Sequence, residues 1–163
     1  MDDKQIRPLE PEELVDMYAG VIYRIAYSRL QNVPDAEDIT QEVLLKYIKS
    51  DKSFNDEDHR RMWIIRVTVN AVNSLMSSSW RRRFVPLEEA DAVSYTEPEQ
   101  YGVREAMKRL PEKYRIPIHL YYFENMTINQ IAAALNRKEG TVKSLLSRGR
   151  NKLRALLEEE DHV

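Results

Sequence analysis

Seven Lys and Arg residues and a single acidic residue lie between Arg137 and Arg154. Like charges this close repel one another along a helix, so a solvated helix usually mixes both signs. A run of cations instead complements a phosphate backbone, and hydroxyl side chains among them can reach phosphates or base edges. Ser144 and Ser147 supply such hydroxyls. The pattern favours DNA binding over the alternative, a basic surface helix with no special role.

Residues 127–157, which contain this stretch, are predicted to form two helices joined by a turn. Thr127 and Gln130 have the spacing of a capping box at the start of the first helix. Asn136 stands where a left-handed residue often ends a helix. The second helix is predicted to begin at about Thr141. A short helix, a turn and a longer basic helix are typical of a helix-turn-helix.

A second basic stretch lies earlier in the chain, with six arginines and one acidic residue from Asp58 to Arg83. A long helix is predicted from about His59 to Arg83, and its polar side carries Asn70 and Asn73. Its closing arginines either neutralise the helix dipole or hold phosphates, and the sequence leaves both open.

An acidic helix is predicted from Asp35 to Lys49. Its core face is predicted to consist of Ala36, Ile39, Val43, Tyr47 and Ile48. A second face follows the spacing i, i+3, i+4, i+7 and consists of Asp38, Gln41, Glu42 and Leu45. Such a face is either solvated or docks on a basic partner, and spacing alone favours the first interpretation.

The chain as a whole is predicted to be all-α, with two small helical domains at residues 1–83 and 101–163. The first domain also contains a helix from about Glu12 to Leu30, and the second begins with helices over 103–110 and 111–123. Residues 84–100 hold five acidic residues, two prolines and no Lys or Arg, which indicates a flexible acidic linker. The net charge of −2 therefore conceals a strong segregation of charge.

Several classes of site are excluded or disfavoured by composition. The chain has no cysteine, so disulfides and thiolate metal sites are excluded. The three histidines His59, His119 and His162 are scattered, and there is no phosphate-binding loop. We expect no catalytic residue, no metal site and no cofactor. No apolar run resembles a signal peptide or a membrane helix, so we expect a cytoplasmic protein without membrane insertion.

Three motifs, in this order, carry a family resemblance. They are DAEDITQEV at 35–43, WIIRVTVN at 63–70, and LPEKYR at 110–115 followed by GTVKS at 140–144 and LSRGR at 146–150. With them the chain resembles the sigma factors of bacterial RNA polymerase, specifically the extracytoplasmic-function (ECF) group of the sigma-70 family. The resemblance covers nearly the whole chain.

The resemblance implies a σ2-like domain at 1–83, a linker at 84–100 and a σ4-like helix-turn-helix domain at 101–163. It implies a transcription initiation factor, not an enzyme, whose partners are core RNA polymerase, promoter DNA and an anti-sigma factor. The acidic helix would bind the polymerase clamp through Asp35, Asp38, Gln41, Glu42 and Leu45.

The same resemblance assigns two sets of DNA contacts. The first would melt the −10 element and capture a flipped base, and consists of Lys52, Phe54, His59, Arg60, Arg61, Trp63, Arg66, Asn70 and Asn73. For Phe54 and Trp63 a place in the core is the alternative. The second would read the −35 element, and consists of Arg137, Lys138, Glu139, Thr141, Lys143, Ser144, Ser147, Arg148, Arg150 and Lys152.

A conventional helix-turn-helix repressor or activator is the alternative function. Such a protein would bind a palindromic site as a dimer. That interpretation leaves the acidic helix and the second basic stretch unexplained.

Overall fold

The computed structural model of the chain describes residues 5–78 and 98–161, with the backbone alone at 98–101, 160 and 161. Within these ranges the fold is helical, and the single antiparallel bridge, between Ile6 and Phe54, belongs to no strand. The predicted all-α class is confirmed. The chain divides into two compact units, Met1–Pro86 and Leu87–Val163, which are called the N-terminal and C-terminal units below.

The N-terminal unit packs three longer helices around one core. Its helices are α1 (Pro11–Leu14), α2 (Gly20–Leu30), α3 (Val33–Lys49) and α4 (Glu57–Ser77), and a π-helical turn (Val15–Ala19) joins α1 to α2. This first helical run matches the single helix predicted from about Glu12 to Leu30. Helices α2, α3 and α4 contact one another in pairs. The core between them includes Ile22, Ile25, Ile39, Val43, Ile64, Ile65 and Val69.

Side-chain caps set the starts of α3 and α4. The Asn32 Oδ1 accepts a hydrogen bond from the Asp35 N–H at 2.9 Å, and α3 therefore begins at Val33, before the predicted Asp35. The Asp56 Oδ1 accepts one from the His59 N–H at 2.7 Å, so α4 begins at Glu57 rather than at His59.

The end of α4 differs from the prediction, because this helix stops at Ser77 instead of continuing to Arg83. Serine competes for backbone hydrogen bonds and is a poor helix former, which explains an end at this run of serines. Residues 79–83, including three of the six arginines of the basic stretch, lie outside the described residues.

Four of the five residues predicted for the core face of α3 are buried, and Ile48 is not. The Ile48 side chain is 49% exposed, so the prediction for this residue was wrong. Ile48 follows Leu45 by three residues and lies one step beyond the buried Tyr47, which carries it round to the outer face.

The C-terminal unit comprises α5 (Pro98–Arg109), α6 (Glu112–Tyr122), α7 (Ile128–Leu135) and α8 (Glu139–Asp161). Helix α5 begins earlier than the predicted residue 103, and α8 earlier than Thr141. Helix α8 packs against each of the other three helices. The core of the unit includes Leu110, Ile118, Leu120, Ile131, Val142 and Leu146.

Of the predicted linker, residues 84–97 lie outside the described residues, and 98–100 belong to α5. In the parts of the chain that the structure describes, no helix combines the length and the apolar character needed to cross a membrane.

Candidate functional site

The helix-turn-helix is built as the sequence predicts. The Thr127 Oγ1 accepts a hydrogen bond from the Gln130 N–H at 3.1 Å, and the Gln130 Oε1 accepts one from the Thr127 N–H at 2.9 Å, which completes the capping box. Asn136 ends α7 in the left-handed conformation, with φ 52°. The Asn129 Nδ2 donates to the Glu139 carboxylate at 2.8 Å, which ties α7 to the first residue of α8.

One face of α8 is buried, and the other carries eight of the ten predicted −35 contacts; Arg137 and Lys138 lie in the turn before it. Val142, Leu146 and Gly149 face the core. A Cβ atom on Gly149 would lie 3.1 Å from side-chain atoms of Tyr114 and Ile118, so the glycine allows α8 to approach α6 closely. All ten predicted contact residues are exposed: Arg137, Lys138, Glu139, Thr141, Lys143, Ser144, Ser147, Arg148, Arg150 and Lys152.

One flank of this exposed face adjoins tyrosines that sequence reasoning did not assign to a surface. Lys143 and Arg150 line a cavity of about 160 Å³ together with Tyr121, Tyr122, Ile128 and Leu146. The Arg150 guanidinium donates to the Tyr122 hydroxyl at 3.4 Å. The three consecutive aromatic residues 121–123, at the C-terminal end of α6, are exposed.

The predicted polymerase-binding residues lie on the outer side of α3. Asp38, Gln41, Glu42 and Leu45 are exposed, and Leu45 is 51% exposed. Ile48 extends this set, which is called the acidic face below, by a second exposed apolar residue. The signal for it was present in the sequence, because residues 38, 41, 45 and 48 follow helical spacing. Asp35, in the first turn of α3, is half-buried.

The predicted −10 contacts lie on the loop 50–56 and along α4. Five of them are exposed: Lys52, His59, Arg66, Asn70 and Asn73. Arg61 and Trp63 are half-buried. These seven residues form what is called the loop surface below.

Phe54 and Arg60 do not belong to that surface. The Phe54 side chain is 2% exposed and the Arg60 side chain 1%, so both were wrongly placed among residues that reach DNA. The Phe54 ring packs in an aromatic cluster with Tyr47, His59 and Trp63. This burial agrees with the core alternative for Phe54.

Arg60 is buried because its guanidinium has partners inside the unit. Its Nη1 donates to the Glu57 carboxylate, its Nη2 donates to the backbone carbonyl of Arg7, and its Cζ lies 5.9 Å from the centre of the Phe54 ring. A buried cation needs such partners, since an unpaired one would be very unfavourable. The Glu57 carboxylate also accepts a hydrogen bond from the Tyr18 hydroxyl at 2.7 Å. Burial, and then this hydrogen bond, raise the pKa of Tyr18 well above its usual value.

His119 hydrogen-bonds inside the C-terminal unit. Its Nε2 lies 2.7 Å from a carboxylate oxygen of Glu124, and both side chains are buried. Its ring stacks on Phe123 at a distance of 5.4 Å between ring centres. This pair fastens the turn between α6 and α7, which positions the helix-turn-helix.

Comparison with known proteins decides the family. Family models for sigma-70 region 2 and sigma-70 region 4 match residues 14–82 and 102–153. The ECF RNA polymerase sigma factor SigE of Mycolicibacterium smegmatis is 31% identical over 157 residues, which cover 90% of this chain and 61% of that protein. The RNA polymerase sigma-E factor of Streptomyces antibioticus is 32% identical over 161 residues, which cover 94% of this chain and 87% of that protein. The chain belongs to the ECF sigma factors of the sigma-70 family.

This sigma factor also shares its fold with a solved structure. The sigma factor RpoE of Bartonella quintana, crystallised with the anti-sigma factor NepR, superimposes with a TM-score of 0.70 at 21% identity. The match covers 90% of this chain and 96% of that one. The region 2 match contains the acidic face and the loop surface, and the region 4 match contains the helix-turn-helix. The sigma factor acts in transcription initiation.

Proposed function

We propose that this sigma factor binds core RNA polymerase through the acidic face and holds promoter DNA with two separate basic surfaces. The observation that carries the proposal is the opposite character of exposed faces within one chain. The acidic face of α3 combines carboxylates with the exposed Leu45 and Ile48, whereas the outer face of α8 is rich in cations and hydroxyls. In this role the protein is not an enzyme, and its contribution is binding energy.

The acidic face suits a basic protein surface. Its carboxylates would steer and orient the partner, and desolvation of Leu45 and Ile48, at the C-terminal end of the face, would supply affinity. The ECF resemblance favours the clamp helices of core polymerase as that partner. Because core polymerase lies in the cytoplasm, the proposal also places the protein there.

The exposed face of α8 suits the major groove. In a helix-turn-helix the second helix enters this groove with its N-terminal residues towards the base edges. In that position Thr141, Ser144 and Ser147 would approach bases, and Arg148 and Lys152 would pair with phosphates of the −35 element.

The loop surface suits single-stranded DNA of the −10 element. Flipping a base out of the duplex costs a few kcal/mol of stacking, so the protein must supply both a receiving surface and contacts to the strand. The half-buried Trp63 offers a ring for stacking, and Arg61 and Arg66 offer charge for the strand.

An anti-sigma factor is proposed as a further partner. The structural neighbour RpoE is in complex with one, which supports a regulator of the same kind here.

Run-off transcription from genomic DNA with core polymerase tests the function. We expect transcript starts that share two spaced upstream elements and that require both proteins. A conventional helix-turn-helix regulator would instead bind symmetric sites as a dimer, without polymerase. That result would overturn the proposal.

The substitution Glu42→Arg tests the acidic face. We expect polymerase affinity to fall about tenfold or more. The substitution replaces an exposed carboxylate at the centre of the face by a cation, which would repel the basic surface of the polymerase. Binding of the full chain to a −35 duplex should not change. Asp16→Arg, a charge reversal at an exposed site outside the face, is the matched control and should leave polymerase affinity unchanged. Undiminished affinity in Glu42→Arg would locate the docking surface elsewhere.

A further inference from the structure

The N-terminal segment, residues 5–10, is fastened to the loop 50–56. The Ile6 N–H donates to the Phe54 carbonyl at 2.9 Å, and the Leu9 N–H donates to the Tyr47 hydroxyl at 3.1 Å. The other end of the segment is fixed at α1, where Glu10 and Glu13 form a capping box. An extended segment with no helix of its own thus runs along the loop and bonds to its backbone.

Buried Arg60 joins this segment to the loop and to α4. Its guanidinium reaches the Arg7 carbonyl on the segment and the Glu57 carboxylate on α4, and it lies near the ring of Phe54. Hydrogen bonds from a charged donor are stronger than neutral ones, especially away from water. One side chain of α4 therefore contacts the N-terminal segment, 53 residues away in sequence, as well as the neighbouring loop.

In the loop 50–56, the buried residue Phe54 has exposed residues on both sides of it in sequence. Phe54 is buried, with ring centres at 5.2 Å from His59, 5.8 Å from Trp63 and 6.1 Å from Tyr47. Its neighbours Ser53 and Asn55 are exposed, as is Lys52. Since the Phe54 backbone is bonded to Ile6, the directions in which these neighbours point depend on the N-terminal segment.

We propose that Arg60 is a positioning residue for capture of the −10 strand, acting through the N-terminal segment and the loop 50–56 without touching DNA. The inference rests on the proposed function for the identity of the strand. Contacts that recognise a flipped base must be held by rigid support, and here the support is a buried cation and a segment from the start of the described chain.

The test compares three variants of the full chain. Arg60→Met keeps an unbranched apolar stem and removes the guanidinium with its hydrogen bonds. Ile6→Pro removes one backbone donor to Phe54 and leaves Arg60 intact. Arg24→Met removes an exposed cation from α2 and is the matched control. Hydrogen exchange of peptides covering residues 50–56 reports the loop, and binding of holoenzyme to a single-stranded −10 oligonucleotide, taken from a promoter found by run-off transcription, reports function.

We expect exchange in the loop to become about tenfold faster in Arg60→Met and in Ile6→Pro, the effect of losing a stabilising hydrogen bond. Oligonucleotide affinity should fall in both variants, whereas polymerase affinity and binding to a −35 duplex should stay as in the wild type. A merely structural role would damage the whole N-terminal unit and would lower polymerase affinity together with oligonucleotide affinity. Arg24→Met should change none of these quantities.

Unchanged exchange in the loop would overturn the inference, and so would faster exchange with undiminished oligonucleotide binding. If Arg60→Met does not fold, Ile6→Pro decides by the same readouts. If the wild-type holoenzyme binds no single-stranded oligonucleotide, the proposed function of the loop surface fails, while the exchange rates still show whether Arg60 fixes the loop.

Discussion

At the residue scale, Arg7 and Glu13 form a charge pair at the surface of the N-terminal unit. The guanidinium donates to both carboxylate oxygens, at 2.8 and 2.6 Å. This hydrogen bonding lowers the pKa of Glu13 from 4.5 to about 2 and raises the pKa of Arg7. A bidentate pair fixes geometry better than a single contact. It thereby holds the N-terminal segment against α1.

The effect of pH on the stability that this pair contributes follows from the direction of the Glu13 pKa shift. The lowered pKa of Glu13 means that the pair stabilises the fold above pH about 4.5, and that this contribution is lost as the pH falls towards about 2. We predict that Arg7→Ala returns the pKa of Glu13 towards 4.5, measured by NMR titration of its side chain. Arg24→Ala is the control and should leave that titration in place. An unchanged pKa in Arg7→Ala would mean that the pair does not persist in solution.

Single residues show where sequence reasoning succeeded and where it did not. Arg60 was assigned to DNA because the family resemblance places the start of this helix at the −10 element. It stands four residues before buried Ile64, however, and so lies on the core stripe of α4. The helical spacing of the sequence could therefore have predicted that Arg60 is buried. What spacing could not provide was the partner, because the Arg7 carbonyl is a long-range contact that no local pattern encodes.

At the scale of the element, the core residues of α8 and the residues proposed to contact DNA lie on opposite sides of the helix. Its buried side faces α5, α6 and α7, and its exposed side divides into two flanks. Lys143 and Arg150 lie on the flank beside Tyr122, while Ser144 and Arg148 lie on the other. A helix that lies in a groove can present both flanks to the two phosphate backbones that border it.

The salt dependence of DNA binding tests whether the cations on these two flanks contact phosphates. We predict that Lys143→Ala and Arg148→Ala each weaken binding to a −35 duplex and lower the salt slope by about one unit per lost phosphate contact. Arg109→Ala is the matched control, because the Arg109 guanidinium is already paired with Glu159 at 2.8 Å. Its salt slope should equal that of the wild type. A slope that stays the same in Lys143→Ala or Arg148→Ala would remove that residue from the phosphate contacts.

Elements were predictable where their ends carry chemical signals. The capping box at Thr127 and the left-handed Asn136 gave the bounds of α7 from the sequence. The start of α4 was missed by two residues, since Asp56 lies in a polar loop where several residues could cap a helix. The exposed aromatic residues 121–123 at the C-terminal end of α6 were missed as well. Periodicity predicts a helix but not where the element that packs against it ends.

At the scale of the whole molecule, each of the two units has its own hydrophobic core and its own charged surface. The net charge of −2 arises from acidic and basic stretches in turn, and each compact unit carries at least one of the proposed binding surfaces. Each unit also has a separate set of buried apolar residues, such as Ile65 in the first and Ile131 in the second. A unit with its own core is expected to fold independently of the other unit.

Core truncations should therefore destabilise one unit at a time. We predict that Ile65→Ala lowers the free energy of unfolding of the N-terminal unit by about 2–5 kcal/mol, through lost burial and a residual cavity. Peptides from α6, α7 and α8 should keep their wild-type urea midpoint in hydrogen exchange of the full chain. Ile131→Ala is the reciprocal variant and should shift those peptides alone. If either substitution moves all peptides to one common midpoint, the units unfold as one cooperative body, and the binding surfaces cannot be treated as thermodynamically separate.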